Sequence, residues 1–215
     1  MQKLILIGAG GCMRELIWQI QEQNAKVPGW EIAGFVDREK PEAFTVGGRS
    51  CPYLGDDDWL LSRQEETNVA ICVGSPALRK KIAEKLKKNP NLKFPVILLG
   101  NTKICSDIQI GQGSIVSMDC RISTNVILGE FVFLNMGVRI CHDGRIGDFT
   151  TLSPEVKLAG AVSVGAGSDI GLGTKVIQGI AIGSNVVSGA GSVIIRDVAD
   201  NSTVVGVPAK EVKGE

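Results

Sequence analysis

The second half of the chain carries an aliphatic residue at every sixth position. Steps of six from Ile104 to Ile194 meet Ile, Leu or Val at fifteen of sixteen positions, with Ser188 as the exception. The residue after the aliphatic one is often Gly, and the fifth position is small or β-branched. A period of six fits neither an α-helix nor simple alternation, whereas three short strands per coil with a turn at each corner produce it. The pattern therefore predicts an all-β left-handed parallel β-helix.

The repeat also predicts which residues are stacked. Three hexapeptides make one coil of 18 residues, so that residues 104–193 form five coils, and each interior aliphatic lies about 4.8 Å from its counterparts 18 residues away. Cys105 and Cys141 share a column but are two coils apart, about 9.6 Å by the same spacing. A disulfide cannot span that distance, and both thiols are expected to be reduced.

Residues 1 to about 100 alternate short apolar runs with helical stretches. This alternation is typical of a parallel sheet with crossover helices, so we predict an α/β Rossmann-like domain at 1–100 and the β-helix with its closing segment at 101–215. The predicted strands are Lys3–Ile7, Ile32–Val36, Val69–Val73 and Phe94–Leu98, and the predicted helices are Met13–Gln23, Asp57–Gln64 and Ala77–Lys88.

A glycine-rich turn follows the first of these strands. Backbone N–H groups of such a turn can approach a phosphate, and an acid at the end of the second strand suits a ribose. The third glycine of a dinucleotide fingerprint would fall at Met13, and 100 residues make only half of a dinucleotide domain, which argues against NAD. A tight strand-to-helix turn without a ligand is the alternative. The candidate substrate-binding residues here are Gly10, Gly11, Cys12, Asp37 and Gly74.

Composition and charge limit the classes of function that this chain can have. The 27 glycines and only 5% aromatic residues agree with a repeat fold. A net charge of zero does not indicate binding to nucleic acid or to a membrane surface. No apolar run approaches the roughly 18 residues that span a bilayer, and no leader is evident. The six cysteines contain no C-x-x-C, so a cytoplasmic protein with buried, reduced cysteines is expected. With no C-x-x-C and a single histidine, the spacing of zinc ligands is absent, and we predict no metal. Asp56–Asp58 precedes a helix and is interpreted as its cap.

His142 is the only histidine in the chain, and it lies in the hexapeptide Ile140–Arg145, at a position where the other repeats have a different residue type. As the third residue of its hexapeptide it should lie near a corner or on the outer surface. Histidine is the usual side chain for accepting a proton near neutral pH, and the carboxylate of Asp143 would increase its basicity. A structural or incidental role is the alternative.

Three segments together resemble one family. They are the Gly8–Gly11 turn, the stretch Leu134–Phe149 and the segment Val205–Lys210. In this order they resemble the left-handed β-helix acyltransferases, in particular the bacterial N-acetyltransferases of nucleotide-linked 4-amino sugars and the sialic-acid O-acetyltransferases. The resemblance implies acetyl-CoA as co-substrate, a role in glycan biosynthesis and a homotrimer with the coenzyme between two subunits.

The resemblance also implies roles for individual residues. His142 matches the general base and Asp143 its acidic neighbour, while Asn135 matches an active-site position. Cofactor contacts are implied at Thr151, Gly160, Leu172 and Ala190. Family members often have histidine where this chain has Cys12 and Thr151. Transfer to a hydroxyl of a sialic-acid-like sugar, and a non-catalytic assembly or nucleotide-sensing protein, therefore stay open as alternatives.

Overall fold

The computed structural model describes residues 1–40 and 45–212. The chain forms two compact units, one of Met1–Gly74 with Leu78–Pro95 and one of Ser75–Ala77 with Val96–Glu215. This division differs from the domains expected from the sequence in residues 75–77 and 96–100, which belong to the second unit. Among the described helices, none is sufficiently long and apolar to cross a bilayer.

The first unit is built on a parallel sheet. Its elements are β1 (Gln2–Ile7), α1 (Gly11–Asn24), β2 (Trp30–Val36), β3 (Thr45–Val46), β4 (Arg49–Ser50), β5 (Tyr53–Gly55), α2 (Asp57–Leu61), β6 (Thr67–Ile71), α3 (Pro76–Leu86) and β7 (Leu92–Lys93). The strands of the sheet lie in the order β5-β2-β1-β6-β7, and β3 pairs with β4 in a separate antiparallel hairpin. Apolar side chains of β1, β2, β6 and α1 form its core, as the alternating pattern predicts.

The predicted strand Phe94–Leu98 is wrong. Only Ile97–Leu98 of that range is a strand, and it pairs with Ile115–Val116 of the β-helix, whereas β7 ends before Phe94 and pairs with β6. Pro95 lies between the two strands and has no N–H to donate to a ladder, which explains the break. Leu98 also lies six residues before Ile104, so the hexapeptide frame extends one step further back than the sequence analysis placed it.

The second unit is the predicted parallel β-helix, with three faces named here in chain order. The first face holds Ile97–Leu98, Ile115–Val116, Phe133–Leu134, Thr151–Leu152, Asp169–Ile170, Val187–Ser188, Thr203–Val205 and the antiparallel Lys210–Val212. The second face holds Lys103–Ile104, Arg121–Ile122, Arg139–Ile140, Lys157–Leu158, Lys175–Val176 and Val193–Ile194. The third face holds Gln109–Ile110, Ile127–Leu128, Arg145–Ile146, Ser163–Val164 and Ala181–Ile182.

The aliphatic column forms the core of the β-helix. Every member from Val116 to Ile194 is buried, including Ser188, which is 4% exposed. Ser188 satisfies its hydroxyl within the core, since its Oγ lies 2.9 Å from Thr174 Oγ1 and accepts a hydrogen bond from Gly171 N at 3.0 Å. The exception in the repeat therefore introduces a buried hydroxyl that has partners.

Candidate active site

His142 and Asp143 lie at the corner between the second and the third face, as the hexapeptide position predicts. Neighbouring coils fix their backbone on both sides: Asp143 N donates to Thr124 O at 3.1 Å, and His142 O accepts from Ala161 N at 2.8 Å. Asp143 has a φ of +62°, a left-handed conformation that Asp and Asn adopt more readily than most residues. The turn therefore projects both side chains outward from a rigid coil.

The two side chains are paired. His142 Nδ1 lies 2.8 Å from Asp143 Oδ2, and about half of each side chain is exposed, 51% and 49% respectively. The hydrogen bond from His142, followed by one from Asn125, holds the pKa of the Asp143 carboxyl below its usual range. An ionised Asp143 accepts from Nδ1–H, which leaves Nε2 of the neutral ring with a free lone pair. This is the arrangement of a general base.

Gly160 lies directly against the imidazole. A Cβ placed on Gly160 would be 2.4 Å from His142 Cε1 and 2.5 Å from His142 Nε2. Gly160 does not have a left-handed φ, so the backbone conformation alone does not require glycine there. The resemblance assigned Gly160 to the cofactor. The structure places it beside the candidate base, where the absence of a side chain makes room for the ring.

Three further residues at this corner were not predicted from the sequence. Asn125 Nδ2 donates to Asp143 Oδ1, Arg145 donates to the Asn125 carbonyl at 2.6 Å, and Asp107 Oδ2 accepts from Asn125 N at 3.1 Å. Asn125 is 18 residues before Asp143, and Asp107 is 18 residues before Asn125. The coil length was therefore the signal that would have found Asn125 and Asp107.

The other residues implied by the resemblance lie elsewhere on the β-helix. Asn135 directly follows a strand of the first face, and Leu172 and Ala190 each lie two residues after one, at the corner of that face with the second face. The Oδ1 atom of Asn135 accepts from its own neighbour, Met136 N, at 2.7 Å. Thr151 belongs to the first face and is only 5% exposed. Within one chain, the second face therefore separates Asn135, Leu172 and Ala190 from His142.

The candidate acceptor residues gather at one edge of the parallel sheet. Gly10 is the residue before α1, Asp37 directly follows β2, and Gly74 lies three residues after β6. Because β2, β1 and β6 are adjacent and parallel, their carboxyl ends meet at this edge. Gly8 tightens the turn, with a φ of +103° and Cys72 O at 3.3 Å from a Cβ that would be added there.

The start of α1 offers free N–H donors. Gly10 caps the helix without any side-chain hydrogen bond, and the exposed Gly11 is the first helical residue. The first-turn N–H groups of a helix have no intrahelical acceptors and attract anions. The loop after β6 is held by Arg79 of α3, whose NH1 donates to Val73 O at 2.7 Å and to Gly74 O at 2.9 Å.

Cys12 is a protonated thiol at neutral pH. Burial, followed by the negative charge of Glu15, raises its pKa to about 12, although the Arg79 cation acts in the opposite direction. Arg79 is a cationic neighbour that the sequence did not reveal. The net shift is upward, which disfavours Cys12 as a nucleophile.

The structure tests the predicted cap of α2 and the predicted burial of the cysteines. Asp56 caps α2 as predicted, since its Oδ1 accepts from Asp58 N and Trp59 N at 3.1 Å each. Burial of all six cysteines is wrong: Cys105 and Cys141 are exposed, although both are free, as are the other four. Within residues 1–40 and 45–212, no cluster of three or more His, Cys, Asp or Glu side chains forms a metal site.

A known protein family matches the first part of the chain. A family model for the PglD N-terminal domain matches residues 3–86. No curated protein matches the chain in sequence.

Solved structures match the whole chain. The acetyltransferase domain of PglB from Neisseria gonorrhoeae, in complex with acetyl coenzyme A, is 29% identical with a TM-score of 0.86, covering 98% of this chain and 99% of that one. PerB from Caulobacter crescentus, in complex with CoA and GDP-perosamine, is 28% identical with a TM-score of 0.88, covering 99% and 98%. WeeI from Acinetobacter baumannii is 24% identical with a TM-score of 0.82, covering 99% and 100%, and supports the fold alone.

These likenesses confirm the family resemblance seen in the sequence. The chain combines a Rossmann-like N-terminal domain with a left-handed β-helix, and it is an acyltransferase.

Proposed function

We propose that this acyltransferase moves the acetyl group of acetyl-CoA to the amino group of a nucleotide-linked 4-amino sugar, with His142 as general base. The main support is the His142–Asp143 pair, in which Nδ1 of His142 lies 2.8 Å from Oδ2 of Asp143. The solved structures that share this fold include a GDP-perosamine N-acetyltransferase. Structures of those relatives contain acetyl coenzyme A in one case, and CoA with GDP-perosamine in another.

The mechanism follows from the orientation of the imidazole. Asp143 accepts from Nδ1–H, so His142 Nε2 takes the proton that the amine loses as its nitrogen attacks the thioester carbonyl. The new C–N bond forms, the C–S bond breaks as the tetrahedral intermediate collapses, and the proton passes to the departing CoA sulfur. No acyl-enzyme is required, which agrees with the protonated state of Cys12.

Gly160 supplies a candidate donor for the oxyanion. Its backbone N–H donates no hydrogen bond to any residue in the described ranges, and Gly160 lies against the ring of His142. A backbone donor beside the general base is suited to stabilise negative charge on the attacked carbonyl oxygen. We therefore assign Gly160 a role at the acetyl group, and we place the rest of the coenzyme along Thr151, Leu172 and Ala190 as the resemblance implies.

The acceptor site is proposed at the carboxyl edge of the first sheet, with Gly10, Gly11, Cys12, Asp37 and Gly74. Asp37→Ala should raise KM for the sugar-nucleotide acceptor several-fold more than KM for acetyl-CoA, because a carboxylate at the end of β2 suits a ribose. Initial rates with each substrate varied in turn measure both constants. Lys3→Ala, on an exposed side chain of β1, is the control. Equal effects on both constants would remove Asp37 from the acceptor site.

We propose a homotrimer as the active assembly. Asn135, Leu172 and Ala190 lie at a different corner from His142, so a neighbouring copy is the simplest source of the second wall of a coenzyme groove. Light scattering in solution should give about three times 22.8 kDa. A stable monomer that is fully active would contradict both the assembly and the shared groove.

A requirement for acetyl-CoA favours a cytoplasmic location, which stays a prediction.

The reaction itself is tested by release of the CoA thiol. Purified protein is given acetyl-CoA with a panel of nucleotide-linked 4-amino sugars, with the matching 4-hydroxy sugars, and with sialic acids. We expect thiol release with an amino sugar only, and a product heavier by one acetyl group. Release with sialic acids alone would identify an O-acetyltransferase, and release with none would contradict catalysis.

A further inference from the structure

We propose that Asn125 is a positioning residue for the His142–Asp143 pair, whose side-chain amide holds one carboxylate oxygen of Asp143 so that the other faces the imidazole. The inference rests on the proposed function for its effect on rate. Its geometric content, the orientation of the ring and of its proton, can be measured without any substrate.

The His142–Asp143 pair needs such support because it is exposed. About half of each side chain contacts solvent, 51% of His142 and 49% of Asp143. Water competes for both partners at such exposure, and isolated surface ion pairs are worth little. Neither the backbone hydrogen bonds of the corner nor the left-handed turn at Asp143 limits rotation of the carboxylate about its own side-chain bonds.

Asn125 supplies the missing constraint from the coil below. Its Nδ2 donates to Asp143 Oδ1 at 2.5 Å, while Asp143 Oδ2 lies 2.8 Å from His142 Nδ1. With one oxygen bound to the amide and the other to the imidazole, the carboxylate plane is fixed. The bond from Asn125 also contributes to the low pKa of Asp143, so it favours the ionised acceptor that His142 needs.

The amide of Asn125 is itself oriented by charged neighbours. Arg145 NH1 donates to the Asn125 carbonyl at 2.6 Å, and Arg145 NH2 lies 3.4 Å from Asn125 Oδ1. On the other side, Asp107 Oδ2 accepts from Asn125 N at 3.1 Å. A reversed amide would turn its oxygen toward the Asp143 carboxylate and its NH₂ toward the guanidinium. Arg145 and Asp143 therefore select one orientation, in which the NH₂ group faces Asp143.

The chain offers a matched control. Asn185 occupies the same kind of corner turn, with a φ of +55° against +53° for Asn125. It also donates from Nδ2 to the next coil, in this case to Asn201 Oδ1 at 3.1 Å. It belongs to the corner between the third and the first face, and its partners do not include the catalytic pair. Loss of a stacked asparagine in general can thus be separated from loss of this one.

The experiment compares Asn125→Gly, Asn125→Asp and Asn185→Gly with the unmodified protein. Glycine keeps the left-handed turn but removes the amide, and aspartate keeps the shape but replaces the donor by an acceptor. Each protein is labelled with ¹⁵N-histidine, so that the ring shifts of the chain's only histidine report which nitrogen carries the proton in the neutral ring. Melting temperatures and the two kinetic constants, kcat and KM, are recorded alongside.

We expect Nδ1–H in the unmodified protein and in Asn185→Gly, and a mixture of the two ring tautomers in both Asn125 variants. With substrates, kcat should fall about tenfold in both Asn125 variants with little change in KM, the usual scale for a residue that orients a histidine. Restored tautomer and rate in Asn125→Asp would show that shape alone matters, and unchanged values in Asn125→Gly would overturn the proposal. A changed tautomer in a protein that transfers no acetyl group would reject the function while leaving the positioning role supported.

Discussion

His142→Ala is expected to lower kcat by about 10²–10⁴-fold, the usual contribution of a positioned general base, with little change in KM. No other imidazole exists in the chain to take over the proton. The thiol-release assay under saturating acetyl-CoA measures the loss. Because the side chain is half exposed, and because the backbone bonds from Asp143 N to Thr124 O and from Ala161 N to His142 O remain, the fold and the melting temperature should change little.

Two further variants sharpen this test. Cys141→Ala changes the exposed neighbour of His142 and should leave the rate intact. Asp143→Asn keeps the left-handed turn but removes the negative charge opposite Nδ1, so it should cost less than loss of the histidine and more than the cysteine change. Transfer by His142→Ala within threefold of the unmodified protein would contradict the mechanism.

The low pKa of Asp143 has its own consequence for the pH profile. A carboxyl whose pKa is depressed in the folded protein stays ionised as the pH falls from 7 toward 5, and its stabilising contribution is lost only as the pH falls through that lowered value. Any change of kcat/KM between pH 5 and 8 therefore does not come from protonation of Asp143.

The β-helix followed from the sequence because its geometry is periodic. One residue in six must be aliphatic to fill the prism, and that requirement is visible without any long-range information. The repeat also identifies the neighbours of every residue in the adjacent coils, because residues 18 positions apart are stacked on one another. Applied to Asp143 and His142, it gives Asn125 and Gly160, which the structure places in contact with them.

The first unit was less predictable because its pairing is not periodic. The strand β5 was missed: it has only three residues and follows Pro52, features that favour a loop in sequence. Its place beside β2 depends on a close approach, in which a Cβ on Gly34 would lie 2.6 Å from Pro52 O. Arg145 was missed for a related reason, since its contact with Asn125 crosses the corner between two coils rather than following the repeat.

Gly160→Ala is expected to lower kcat by about 10²-fold, although the added methyl group touches no proposed acceptor residue. The methyl carbon would begin 2.4–2.5 Å from the Cε1 and Nε2 atoms of His142, so the ring must move by about 1 Å to reach ordinary contact. A displacement of that size is enough to cost two orders of magnitude in a positioned reaction. The backbone itself tolerates a side chain, because Ala166 and Ala190 occupy the equivalent hexapeptide position.

A double-mutant cycle separates this cause from general damage to the coil. In the unmodified protein, Gly160→Ala should lower the free energy of unfolding, since the methyl group and the imidazole compete for one space. In a His142→Ala background the space is open, and the same change should instead stabilise by about 0.4–1 kcal/mol, because alanine restricts the unfolded chain. Thermal melts of the four proteins measure the sign. Equal destabilisation in both backgrounds would show that Gly160 serves the coil, and that its contact with the candidate base is incidental.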